Sequence, residues 1–134
     1  MPDCFFCELW KTKPHNLFLE DSKFYAVFDP APVSKGHCQI IPKEHVNDFF
    51  DLKSEDSTDL HKFILKVKKV LDKKYNPDGY NVGVNCGSSA GQSIMHLHIH
   101  IIPRYSGDVD NPKGGIRNIF GKYVSPKAPR KGFK

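Results

Sequence analysis

Between Leu60 and Leu71, apolar residues return at Leu60, Phe63, Ile64, Val67, Val70 and Leu71, at offsets that follow a 3.6-residue period. Lys62, Lys66, Lys68, Lys69 and Asp72 take intervening positions, so one stripe can bury while the other stays in water. The spacing predicts a helix over residues 55–75. Ser54 is its expected N-cap, and Glu55 and Asp56 fall in the first turn, where the helix dipole favours anions. Asn76-Pro-Asp-Gly79 is its stop. The lysines are read as a solvated face and carry no functional assignment.

Elsewhere the pattern is shorter. Residues 17–19 and 24–28 are aromatic and aliphatic runs around Glu-Asp-Ser-Lys and predict a hairpin. Asp29-Pro-Ala-Pro-Val-Ser-Lys-Gly36 holds two prolines and predicts a loop, followed by a short strand over 37–41 that Pro42 stops. Residues 80–85 alternate as a strand, the small residues 87–93 form a loop, and 94–102 predict a last strand closed by Pro103. One long helix among strands joined by short connections predicts an α+β domain with an antiparallel sheet.

Composition changes this picture little, but charge divides the chain. Its 134 residues hold 20 Lys+Arg against 15 Asp+Glu, a formal charge of +5. Every acid lies at or before Asp110. Residues 1–110 carry thirteen basic groups against fifteen acidic ones, or −2, while 111–134 carry seven basic groups and no acid, or +7. The expected organisation is one domain over 1–110 with a basic, irregular tail over 111–134. No apolar run approaches the roughly 20 residues of a membrane helix, and the first residues lack a signal-peptide pattern. The expectation is a soluble, cytoplasmic protein whose four cysteines, at 4, 7, 38 and 86, are thiols or metal ligands rather than a disulfide framework.

The chemistry concentrates in Ile94-Met-His-Leu-His-Ile-His-Ile-Ile102. On a strand, His96, His98 and His100 share one face and Leu97, Ile99 and Ile101 the other. Successive imidazoles then start roughly 6.5–7 Å apart. Such a face suits a metal site, or phosphoryl and nucleotidyl transfer, in which one imidazole attacks phosphorus while its neighbours bind the nonbridging oxygens. Gly87-Ser-Ser-Ala-Gly-Gln-Ser93, just upstream, offers backbone N–H groups and Ser and Gln donors. That loop favours an anionic phosphate.

These residues resemble the histidine triad (HIT) superfamily, whose signature is His-φ-His-φ-His-φ-φ with φ apolar, here preceded by Gly91-Gln-Ser93. Phe28-Asp-Pro-Ala-Pro-Val-Ser-Lys-Gly-His37, Ile40-Ile-Pro-Lys-Glu-His45 and Asn85 extend the resemblance over residues 3–105. It implies a nucleotide hydrolase acting at the α-phosphate, with His98 as the nucleophile of a covalent nucleotidyl intermediate. His100 and His37 would contact phosphate oxygens, Asn85 would orient the rings, and Gln92 and Ser93 would face the leaving group. Asp29 would bind the ribose, with Phe6, Leu9, Val27 and Pro30 around the base. Implied substrates are dinucleoside polyphosphates, or adenosine phosphoramidates and related conjugates. A homodimer is also implied, and the chemistry requires no metal. A rival reading from another class is a nucleotide-binding protein with little catalysis.

Cys4-Phe-Phe-Cys7 by itself is half of a metal site or a redox pair, and no βαβ context supports the redox reading. Some HIT proteins combine this C-x-x-C with two histidines at the positions of His45 and His96. The resemblance therefore implies structural zinc on Cys4, Cys7, His45 and His96. Cys38 and Cys86 read as small buried hydrophobes. The tail can be a nucleic-acid arm, a solvating terminus, or a cover over the nucleotide site, where positive charge attracts polyphosphate. Seven charges over 24 residues form no continuous block, which argues against nucleic acid.

Overall fold

The computed structural model describes residues 3–121. The tail lysines and arginines from Lys122 onward lie outside the described residues. The chain divides into one compact unit, Met1–Arg104, and a second beginning at Tyr105. Within the second, where an irregular segment is expected, Gly115–Phe120 forms a short 3-10 helix between the positive-φ residues Gly114 and Gly121.

The first unit holds a five-stranded antiparallel sheet: β1 Leu17–Glu20, β2 Phe24–Phe28, β3 Cys38–Pro42, β4 Gly79–Gly83 and β5 Ile99–Arg104, in the order β1-β2-β3-β5-β4. Period-two alternation gives the sheet two apolar faces. Phe24, Ala26, Cys38, Ile40, Leu97, Ile99 and Ile101 face the long helix α2, Ser57–Tyr75, and meet its buried stripe of Leu60, Phe63, Val67 and Leu71. Tyr25, Val27 and Ile41 face the other way, onto Phe6 of the short helix α1, Phe5–Leu9. The Tyr25 hydroxyl donates to the Phe6 carbonyl at 2.6 Å, pinning α1 to the sheet.

Several boundaries depart from expectation for identifiable reasons. Ser54 does not cap α2. Ser54–Asp56 form a 3-10 turn, and Asp56, at the N-cap position, makes no side-chain cap bond. Its Oδ1 instead accepts from Lys23 Nζ at 2.9 Å, and the same ammonium reaches Asp59 at 2.7 Å. At the other end Asn76 adopts the left-handed conformation (φ 50°), and its N–H reaches the Asp72 carbonyl.

The histidine strand begins at Ile99 rather than Ile94, because the Leu97 N–H is taken by the Val46 carbonyl of a loop. It also runs through Pro103 instead of stopping there. The Pro103 carbonyl accepts from Ser34 Oγ at 2.7 Å, so this proline's backbone faces a loop and its missing N–H removes no ladder bond. Pro42 likewise lies inside β3, at its end opposite Phe24. Cys86 is half-buried rather than buried.

Candidate active site

Alternation in β3 and β5 places Gln39 and His100 on the face opposite α2, and ring contacts bring His37 and His98 against His100 and His96 against Phe6 on that side. His37 directly precedes β3. Gly36 before it has φ 91°, and a Cβ there would lie 2.8 Å from the Tyr75 ring and 3.1 Å from Pro103. Only glycine lets this turn close against them and deliver His37 to the face.

Backbone partners assign the ring tautomers. His98 Nδ1 lies 2.9 Å from the His96 carbonyl, which can only accept, so Nδ1 carries the proton and Nε2 a lone pair. His98 is 8% exposed, and its ring lies 5.1 Å from Phe6 and 5.4 Å from His100. On the other side the Val33 N–H donates to His37 Nδ1 at 3.1 Å. In neutral His37 the proton then sits on Nε2, which lies 2.9 Å from His100 Nδ1. His100 therefore keeps its own proton on Nε2, as a donor. Burial lowers the pKa of both rings from the ordinary imidazole value, with Asp29 opposing the shift in each. His37 and His100 are neutral near pH 7, one lone pair and one donor being fixed along this chain.

Asp29 joins the group. Its Oδ1 accepts from the Ala31 N–H and its Oδ2 from Gln39 Nε2, each at 2.8 Å, while Oδ2 lies 3.4 Å from His37 Nε2 and 3.9 Å from His100 Nδ1. Phe6 and Val27 are buried and Leu9 is half-buried in one cluster, whereas Pro30 is exposed and outside it. Gln92 is 3% exposed with its amide committed to backbone: Oε1 accepts from Gly87, and Nε2 donates to the carbonyls of Asn47 and Ile94. Those bonds brace the Gly-rich loop. Ser93 is exposed and Asn85 half-buried beside Gly91.

A second cluster lies along the same strand. His96 is fully buried and donates from Nε2 to the Pro42 carbonyl at 2.8 Å, leaving the Nδ1 lone pair to face sulfur. Cys4 Sγ and Cys7 Sγ lie 3.2 and 3.5 Å from it, and Cys7 Sγ is 3.3 Å from His45 Nδ1. The four donor atoms lie within 4.8 Å of one another. Tetrahedral zinc, with bonds of about 2.0–2.3 Å, sets neighbouring donors roughly 3.3–3.8 Å apart, so these residues fit such an ion. Burial lowers the His96 pKa to about 4, keeping it a neutral ligand, and with Cys4 it raises that of the Cys7 thiol. The His96–Pro42 bond is the outer hydrogen bond that metal-bound histidines ordinarily make.

Sequence reasoning did not single out Gln39. Its signal was a polar residue on the His37 side of a central strand. The acceptors and donors contributed by Val33, Pro42 and His96 are backbone atoms, which no side-chain pattern announces.

A HIT domain model matches residues 11–107. An uncharacterized HIT-like protein of Methanocaldococcus jannaschii is 37% identical, over 87% of this chain and 91% of its own. An AP-4-A phosphorylase of Mycobacterium tuberculosis is 39% identical over 79% of this chain, which spans only 53% of that relative. An adenosine 5'-monophosphoramidase of Schizosaccharomyces pombe is 38% identical over 75% of this chain and 74% of its own. Among solved structures, SMU.412c from Streptococcus mutans superposes with TM-score 0.76 at 33% identity, covering 83% of this chain and 71% of that one. A zinc-bound histidine triad protein from Mycobacterium smegmatis superposes with TM-score 0.72 at 29% identity, covering 80% and 78%.

Proposed function

The chain belongs to the HIT family, and on that premise we propose that it hydrolyses dinucleoside polyphosphates at the α-phosphate through a nucleotidyl-His98 intermediate. The observation that carries this reading is the His98 tautomer. The His96 carbonyl holds the proton on Nδ1 and leaves the Nε2 lone pair for attack. Nε2 forms a bond to the α-phosphorus as the bond to the bridging oxygen breaks, and the leaving phosphate departs with that electron pair. His100 donates from Nε2 to a phosphate oxygen, its proton kept there by His37 and the Val33 N–H. Water then attacks the same phosphorus, releases the nucleoside monophosphate, and returns the lone pair to His98. Asp29 receives the ribose hydroxyls, with Phe6, Leu9 and Val27 beside the base. Ser93, Asn85 and the loop braced by Gln92 border the leaving group.

The AP-4-A phosphorylase relative supports a dinucleoside polyphosphate as substrate. The monophosphoramidase relative, matched over three quarters of both chains, supports the second reading: a nucleoside phosphoramidate opened by the same attack, with an amine leaving. A panel of both classes, scored by monophosphate release, tests the proposal. Binding of AMP with no cleavage across the panel would replace it with a nucleotide-binding role.

Zinc on Cys4, Cys7, His45 and His96 belongs to the same proposal in a structural role, tying α1 to the histidine segment. The donor set and the zinc-bound relative support it. Metal analysis is expected to find one zinc per chain. A homodimer completes the proposal: β4 is an edge strand with Val82 exposed, and sedimentation is expected to report a dimer. Among the described residues no helix is long and apolar enough to cross a membrane.

A further inference from the structure

Asp29 has two possible employments, and they conflict. As a carboxylate facing the nucleoside sugar it can accept from hydroxyls. As a neighbour of His37 and His100 it can instead pair with an imidazole and hold it protonated. Its Oδ2 lies 3.4 Å from His37 Nε2, longer than a good N–H···O bond. What occupies Oδ2 is Gln39, whose amide N–H reaches it at 2.8 Å, while the Ala31 N–H holds Oδ1 at the same distance.

Gln39 is unusual for its place. It is the second residue of β3, a strand flanked by β2 and β5, with Cys38 and Ile40 facing the other side and buried Ile41 two residues on along its own face. Its Cα partner in β5 is His100, so the amide and the imidazoles project from the same side of the sheet. An aliphatic residue would continue the alternation and satisfy the packing. A polar side chain in a central strand is retained at a cost unless its hydrogen bonds are used, and here the amide is spent on a carboxylate.

We propose that Gln39 is a positioning residue that clamps Asp29 in the sugar-facing orientation and withholds it from His37 and His100. The sugar half of this proposal rests on the nucleotide reading above, and the imidazole half does not. Among the described residues, the titratable groups facing His37 and His100 are Asp29, each other and His98. With the amide in place, Oδ2 is already hydrogen-bonded, and burial keeps both rings neutral. Without it, Oδ2 of a largely buried carboxylate lacks a donor while Ala31 still holds Oδ1, and the His37 Nε2–H, 3.4 Å away, is the nearest one. An opposite charge brought into contact raises an imidazole pKa, so removal of the amide moves the rings toward the charged form. His37 would then no longer relay a single tautomer to His100.

Gln39→Leu is close in volume and tests this with two readouts. NMR titration of the imidazoles is expected to show His37, and through it His100, titrating at higher pH than in the unmutated protein. The shift should vanish when Asp29→Asn is added. The ratio of kcat/KM for a ribonucleotide substrate over its 2'-deoxy counterpart is expected to fall by about tenfold, the size of losing one hydrogen bond to a charged group. Gln39→Asn, whose amide is one methylene short of Asp29, serves with the same expectations where the leucine variant does not fold. Imidazole midpoints unchanged in a folded variant overturn the proposal, whatever happens to turnover. An unchanged sugar ratio in a variant that turns over ribonucleotides overturns it as well. Unmutated protein that cleaves no nucleotide defeats the hydrolase reading and leaves the titration to decide the clamp.

Discussion

His96 and His98 are two residues apart, share one face of one segment, and are prepared for opposite work. His96 gives its Nε2 proton to the Pro42 carbonyl and turns Nδ1 toward two sulfurs, inside a closed set of four donors. His98 gives its Nδ1 proton to the His96 carbonyl and keeps the lone pair on Nε2, with the His100 ring 5.4 Å away. Residue type and burial are nearly shared. The difference lies in which ring nitrogen a backbone carbonyl claims, and on the proposed function that selects between metal ligand and nucleophile. The same device works a third time, where the Val33 N–H claims a lone pair of His37 and so settles the proton on His100.

The comparison breaks most visibly by removing each histidine in turn. His98→Asn is expected to lower turnover by about 10⁴-fold or more, with the melting temperature and metal content unchanged. An enzyme of normal rate would end the covalent reading. His96→Asn should do the converse. It loses the metal and melts lower, and since Asn cannot supply the imidazole lone pair, added zinc does not restore it. Cys7→Ser, or a strong chelator, sharpens this half: a loss of about 2 kcal/mol, or on the order of 10 °C in Tm, is expected. Turnover should persist in whatever remains folded at lower temperature. Activity lost from a chelated but fully folded sample, and regained with zinc, would move the metal into the chemistry.

A smaller effect, to which buried His96 also contributes, reads the buried imidazoles by pH. Burial lowers the pKa of His37 and His100 in the folded state below the unfolded value of about 6.5. The unfolded chain therefore binds protons first on acidification. Stability from keeping these rings neutral is complete above about pH 6.5 and is lost as pH falls toward the folded values. Thermal melts from pH 7.5 down to 5 should show this decline, and His37→Gln should flatten part of it. An equal slope in the variant would mean that His37 is not held neutral by the fold.

Much of this arrangement is legible in the chain. The period of Leu60 through Leu71 marks α2, and the alternation around His98 separates the apolar positions from the histidines. The Cys4-Phe-Phe-Cys7 pair, joined to His45 and His96 through the family resemblance, meets in space. What escapes the pattern is decided by contacts distant in sequence. Ser54 is no cap because the 3-10 turn Ser54–Asp56 moves the helix start to Ser57, where Lys23, from the β1–β2 turn, engages Asp56 and Asp59. Pro103 continues a strand because Ser34 meets its carbonyl. The five residues of α1 are too few for a helical period to show, and their order comes from Tyr25 and the packing of Phe6. Gln39 looked like an ordinary strand residue until Asp29 was found at the end of its amide.

The claim on which the rest depends is that His98 Nε2 attacks phosphorus and is then displaced by water. Each displacement inverts the α-phosphorus, so the two together restore its configuration. The most direct test is hydrolysis in ¹⁸O-water of a substrate bearing a chiral α-phosphorothioate, followed by stereochemical assignment of the released monophosphorothioate. Retention is the predicted result, and inversion, the mark of direct attack by water, would contradict the account.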